Sequence, residues 1–67
     1  MKKTKKQIKA QCVKAIRMRT GMSQTAFGEL YSIPMRTIQN WENGVTEAPD
    51  YVIELLDRVV DEDFPME

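Results

Sequence analysis

Sixty-seven residues with ten basic and ten acidic side chains, no His and one Cys are expected to form one small domain (1–67), near the lower size limit for a core without disulfides or metal. The lone Cys12 has no intramolecular partner, a structural zinc site lacks its ligands, and no apolar run is long enough to span a membrane. The lysine-rich start lacks the apolar segment of a signal peptide, so the expected location is cytoplasmic.

Four helices and no strands are predicted. The first runs roughly from Lys5 to Arg19, with Ile8, Cys12, Val13 and Ile16 on one stripe, and stops at Thr20-Gly21. The second runs from about Ser23, a polar cap, to Tyr31, with Phe27, Leu30 and Tyr31 as its apolar face. Gly28 is small where two crossing helices would touch. Ser32-Ile33-Pro34 then breaks the chain and starts a third helix, from about Pro34 to Asn43, because proline fits a first turn but not a helix interior. Ile38 and Trp41 are its expected inward residues, and Asn43-Gly44 is a stop that tolerates left-handed backbone. This leaves Met35, Arg36, Thr37, Gln39 and Asn40 pointing outward, side chains that can read base edges.

A loop, Gly44 to Ala48, leads to Pro49 and a fourth helix that ends near Asp61. Its apolar residues come in pairs: Val52-Ile53, Leu55-Leu56 and Val59-Val60. One member of each pair suffices for a small core. The expected register turns Val52, Leu55 and Val59 toward the preceding helices, and leaves Ile53, Leu56 and Val60 at the edge as a dimer or partner contact.

Charge is segregated along the chain. Residues 1–20 hold Lys2, Lys3, Lys5, Lys6, Lys9, Lys14, Arg17 and Arg19 with no acid, whereas residues 21–67 hold only Arg36 and Arg58 against all ten acids. A basic segment (1–6) and an acidic tail (61–67) bracket the domain. Part of the basic segment is expected to follow a phosphate backbone, and part to be a solvated helix face.

Residues 17–59 resemble the Xre-type helix-turn-helix domain of lambdoid phage repressor and Cro proteins, most clearly in R-T-I-Q-N-W-E-N-G followed by P-D-Y-V-I-E-L-L. The resemblance implies a compact all-α bundle of about four short helices. It implies that Gln24 bonds a DNA phosphate and braces the recognition helix, and that Met35, Arg36 and Asn40 read bases with Thr37 and Gln39 beside them. Arg17 and Glu42 match a largely buried salt bridge between the first helix and the end of the third, and Asn43 begins a segment whose backbone amides hold phosphate. Two departures stand out. Ser32 occupies a place where glycine is usual, which strains the joint, and Glu47 and Asp50 put acids in a loop that is often basic.

The expected function is therefore a sequence-specific, double-stranded DNA-binding transcriptional regulator acting as a homodimer. The alternative is a protein-interaction module, an antitoxin or accessory subunit whose fourth helix and acidic tail bind a protein such as a toxin. No cofactor is expected. Nor is an enzyme, since there is no His, no glycine-rich phosphate loop and no nucleophile with an evident base.

Overall fold

The computed structural model describes residues 4–65, so Lys2 and Lys3 of the basic segment and the last two residues of the acidic tail lie outside the described residues. Four helices follow one another: α1 (Lys5–Thr20), α2 (Gln24–Tyr31), α3 (Met35–Glu42) and α4 (Asp50–Asp63), with no strand among the described residues. Each boundary has a local cause. Thr4 opens α1 with a reciprocal capping box, its hydroxyl accepting from the Gln7 amide while Gln7 Oε1 accepts from the Thr4 amide. Gly21 closes α1 in left-handed backbone at φ 72°. Ser23 caps α2 by accepting from the Ala26 amide at 3.1 Å. Pro34 and Pro49 stand immediately before α3 and α4 rather than in their first turns, one residue outside the expected positions.

The core gathers one patch from each helix. Ile16, Phe27, Ile38, Leu56 and Val60 form its buried cluster, with Met22, Tyr31, Ile33, Val52, Ile53 and Phe64 packed around it. Phe27 and Tyr31 meet edge to face at 5.0 Å between ring centroids, and the Tyr31 hydroxyl donates to Asp63 Oδ2, tying α2 to the end of α4. Ala48, in the loop before α4, is also buried.

Several register expectations are corrected. On α1 the buried stripe is Ala10, Val13 and Ile16, while Ile8 and Cys12 are exposed; α3 and α4 cover the side of α1 that carries Val13, and Cys12 lies a third of a turn away. Leu30 on α2 is exposed, and Trp41 is half-buried rather than core. The largest correction concerns α4. Leu56 and Val60 are buried against Phe27 and Ile38, Ile53 packs on the same cluster, and Leu55 is 54% exposed. The last two pairs are thus inverted: Leu56 and Val60, expected as a dimer or partner contact, are buried core, whereas in the first pair Val52 and Ile53 are both half-buried and both pack on the cluster. Doublets at adjacent positions leave two stripes about 100° apart, and tertiary packing selects between them.

The joint between α2 and α3 is tight. A Cβ on Gly28 would run into the carbonyl oxygen of Ile33 and come to 3.1 Å from Ile38 Cδ1, so only glycine allows this approach. Ser32 sits at φ 58°, ψ 39°, the left-handed strain expected where glycine is usual. Such backbone costs a residue with a side chain about 1–2 kcal/mol. Two substitutions should therefore move stability in opposite directions in urea unfolding. Ser32→Gly is expected to stabilise by about 0.5–1 kcal/mol, the strain relieved less the entropy glycine adds to the unfolded chain. Gly28→Ala should destabilise by about 1–3 kcal/mol through overpacking. A neutral Gly28→Ala would mean that the crossing can open.

Candidate nucleic-acid interface

The position of α3 is set from beneath by one ion pair. Arg17 in the last turn of α1 donates from Nε and from its second terminal nitrogen to the two oxygens of Glu42 at 2.8 and 2.9 Å, a fork-to-fork pair. Its remaining terminal nitrogen donates to the Met22 carbonyl at 2.9 Å. Gln24 Nε2 donates to Glu42 Oε1 at 3.2 Å, so the bracing role expected of Gln24 is present as a bond to the end of α3. Both charged side chains are withdrawn from water, Arg17 to 12% and Glu42 to 4% exposure. Burial alone would raise the Glu42 carboxyl, but hydrogen bonds from Arg17 and Gln24, with a weaker pull from Lys14, hold it below its ordinary value of 4.5. Its hydrogen bonds to Glu42 raise Arg17 in turn.

A depressed carboxyl contributes stability above its unfolded-state value and loses it as pH falls through the folded one. Wild-type melting temperature should therefore drop once pH goes below about 4.5, and Glu42→Gln should show a shallower acid slope. At neutral pH, Glu42→Ala leaves Arg17 without its counter-charge and should cost about 3–5 kcal/mol. Parallel melting curves of the three proteins between acid and neutral pH check this, and equal acid slopes for wild type and Glu42→Gln would remove Glu42 from the account.

With its base fixed, α3 presents the other side to solvent. Met35 and Arg36 are exposed, Thr37, Gln39 and Asn40 are partly exposed, and Ile38 between them is fully buried. Arg36 and Asn40 are one turn apart on a single face, which Asn43, itself exposed, extends just past the helix. Among the described residues Arg36 has no hydrogen-bond or ion-pair partner. Met35 has one: its thioether accepts from the Thr25 hydroxyl, which fixes the start of α3 against α2.

The turn after α3 differs from expectation in one respect. The amides of Asn43, Gly44 and Val45 donate back to the carbonyls of Gln39, Trp41 and Asn40, and that of Thr46 also reaches Asn40. These amides satisfy the end of α3, so they do not form the free phosphate-holding set that the resemblance implies. Gly44, at φ 73°, makes the turn possible.

The acidic loop is not free either. Lys9 Nζ lies 3.2 Å from Glu47 Oε1 and 3.0 Å from Asp50 Oδ1. Hydrogen bonds to Asp50 first and Glu47 second raise the Lys9 ammonium above its usual value. Arg19 similarly meets Asp57 at 2.7 Å. No sequence signal marks these pairings, because each joins residues more than thirty positions apart. Lys5, Lys6 and Lys14 remain on α1 without ion-pair partners among the described residues.

No group of His, Cys, Asp and Glu able to hold a metal ion occurs among the described residues, and none of the helices is long and apolar enough to cross a membrane. A family model described as helix-turn-helix matches residues 13–64, which takes in the second half of α1, the joint and all of α4. No curated protein and no solved structure matches the chain. The joint, the fork-to-fork pair beneath α3 and the extent of this match agree: the chain belongs to the Cro/C1-type, Xre-like family of DNA-binding helix-turn-helix proteins.

Proposed function

We propose that the chain is a sequence-specific, double-stranded DNA-binding transcriptional regulator that lays α3 in the major groove and acts as a homodimer. The observation that carries this reading is the outward face of α3. Arg36 stands exposed in its first turn with no partner in the protein, and Asn40 follows one turn later on a helix held from behind by Ile38 and Glu42. The planar guanidinium of Arg36 matches the two acceptors of guanine, the amide of Asn40 matches adenine, and Met35 suits a thymine methyl. Thr37 and Gln39 flank these contacts. Asn43 would use its side chain, and Gln24 its amide group, on the flanking phosphates, and Lys5, Lys6 and Lys14 are the cations of α1 left to add charge.

The alternative is a protein-interaction module that uses the fourth helix and the acidic tail, favoured by the near-neutral charge and by the acids of the loop. Lys9 bridges both loop acids, so their repulsion of a phosphate backbone is reduced, though one cation offsets only one of the two charges and Asp50 stays exposed. One recognition helix covers few base pairs, so two half-sites about 34 Å apart are expected, read by two copies.

Selection from random oligonucleotides, followed by salt titration on the enriched site, tests the reading. The expected result is a two-fold symmetric motif. Arg36→Ala should cost about 1–3 kcal/mol on that site and relax preference at one base pair per half-site, leaving the other positions unchanged. A loss of equal size on every sequence would make Arg36 a phosphate contact. Absence of any enrichment at low salt would overturn the reading itself.

A further inference from the structure

With Leu56 and Val60 turned into the core, α4 keeps an apolar ridge on its outer side. Tyr51 is 66% and Leu55 54% exposed, and Val59, half-buried, continues the same i, i+4, i+8 row. Charges border this row in an unequal way. Six acids lie on α4, with Arg58 as its one base. Three of the acids are already engaged: Asp50 by Lys9, Asp57 by Arg19 and Asp63 by the Tyr31 hydroxyl. Arg58 and Glu54, which border Leu55 on one side, have no ion-pair or hydrogen-bond partner among the described residues. They are four residues apart in the orientation that suits an intrahelical pair, yet no bond joins them.

We propose that two copies of this chain pair through the Tyr51–Leu55–Val59 ridge, with the two α4 helices antiparallel, Leu55 meeting Leu55 at the two-fold axis and Arg58 of each copy set against Glu54 of the other. An antiparallel two-fold keeps each flank of one helix on the same flank of its partner, so Arg58 and Glu54 come together twice. Tyr51 then lies over the partner's Val59, and the two ridges interlock as i±4 rows do. The opposite polarity is disfavoured by charge, because a parallel pair would stack Asp61, Glu62 and Asp63 of both copies at one end. The antiparallel pair puts them at opposite ends. A partner of uniformly basic character fits less well, since Arg58 stands in the middle of the patch. A single ridge buries less than the roughly 1,600 Å² of a standard interface, so the dimer should be of micromolar strength and gain from DNA that holds both copies.

This pairing rests on the DNA-binding reading only in that both call for two copies, and it is measured without DNA, so the two can fail separately. Sedimentation equilibrium of the full chain from micromolar to millimolar concentration should show a monomer–dimer equilibrium. Leu55→Glu, at an exposed position, should remain folded by circular dichroism and be monomeric throughout. Glu54→Arg and Arg58→Glu should each weaken dimerisation about tenfold, every change counting twice across the axis. The double variant carrying both reversals should recover the wild-type dimer, which a non-self-complementary surface would not do. A wild type that is monomeric at millimolar concentration, a dimeric Leu55→Glu, or a double variant no better than the singles would each overturn the proposal. A dimer with no selectable DNA motif would leave the pairing standing and remove the DNA reading. A motif bound by a strict monomer would do the reverse.

Discussion

The end of α3 is held by the Arg17–Glu42 pair, the charged contact that ties α1, the turn before α2 and α2 itself to the same helix. Glu42 is the last residue of α3, where the helix dipole disfavours a carboxylate, and it is 4% exposed, where desolvation disfavours it further. Arg17 resolves both problems. It lies in the last turn of α1, where a cation is favoured by that helix's own dipole, and its planar fork matches the carboxylate. The same guanidinium holds the Met22 carbonyl in the turn before α2, and the same carboxylate accepts from Gln24 in the first turn of α2. Four consecutive pieces of chain are thereby referred to one charged contact. A hydrophobic core alone would tolerate small rotations of an eight-residue helix; a bidentate bond would not. The value of the pair lies in that fixed orientation more than in net stability, which an apolar substitute could match.

Local chemistry made much of this fold legible before any coordinates. Helix ends were readable because Thr20-Gly21, Ser23, Pro34 and Asn43-Gly44 act within a turn of themselves, and the structure shifts them by a residue at most. Gly28 and Ser32 were readable for the same reason: one must be small and the other must adopt left-handed backbone, whatever lies elsewhere. The Arg17–Glu42 bond spans twenty-five residues and has no local signature. It was anticipated only through family resemblance. What stayed hidden is what depends on the third dimension alone, namely which of two adjacent stripes on α4 turns inward, and which acids Lys9 and Arg19 reach. In the candidate site, the exposure of Met35 and Arg36 and the partial exposure of Thr37, Gln39 and Asn40 follow from the period of α3 around Ile38. The spent amides of Asn43 to Val45 do not, because an amide's partner in a turn depends on how the turn closes.

The segregation of charge along the chain acquires a structural meaning once α1 and α4 are seen side by side. A basic first third and an acidic last third suggest a polarised molecule with a cationic face for DNA. Folding brings these halves together instead: Lys9 bridges to Glu47 and Asp50, and Arg19 to Asp57, all along the seam between α1 and the segment leading through α4. Each contact is partly exposed and individually weak. Together they consume much of the asymmetry, and they leave the partnerless positive charge of the described helices on Lys5, Lys6, Lys14, Arg36 and Arg58. Net charge is therefore a poor guide to this protein's affinity for phosphate. The distribution left after internal pairing is the better one, and it places one cation on the outward face of α3.

The doubled apolar pattern of α4 follows from how little surface the other helices offer it. Among the described residues Phe27, Ile38 and Ile16 form the buried cluster with Leu56 and Val60 of α4, and Val52 and Ile53 pack at its margin. A wider apolar stripe on a helix that needs only a narrow one adds nothing to the fold of a single copy, and at zero net charge it adds a risk of unspecific association. The charges around Leu55 limit that risk, because they disfavour partners of uniform sign while still permitting a surface that complements itself. In a chain of this size the core already uses most of what α1, α2 and α3 can bury. Tyr51 and Leu55 are therefore apolar surface that the packing of one copy leaves uncovered, not core in excess.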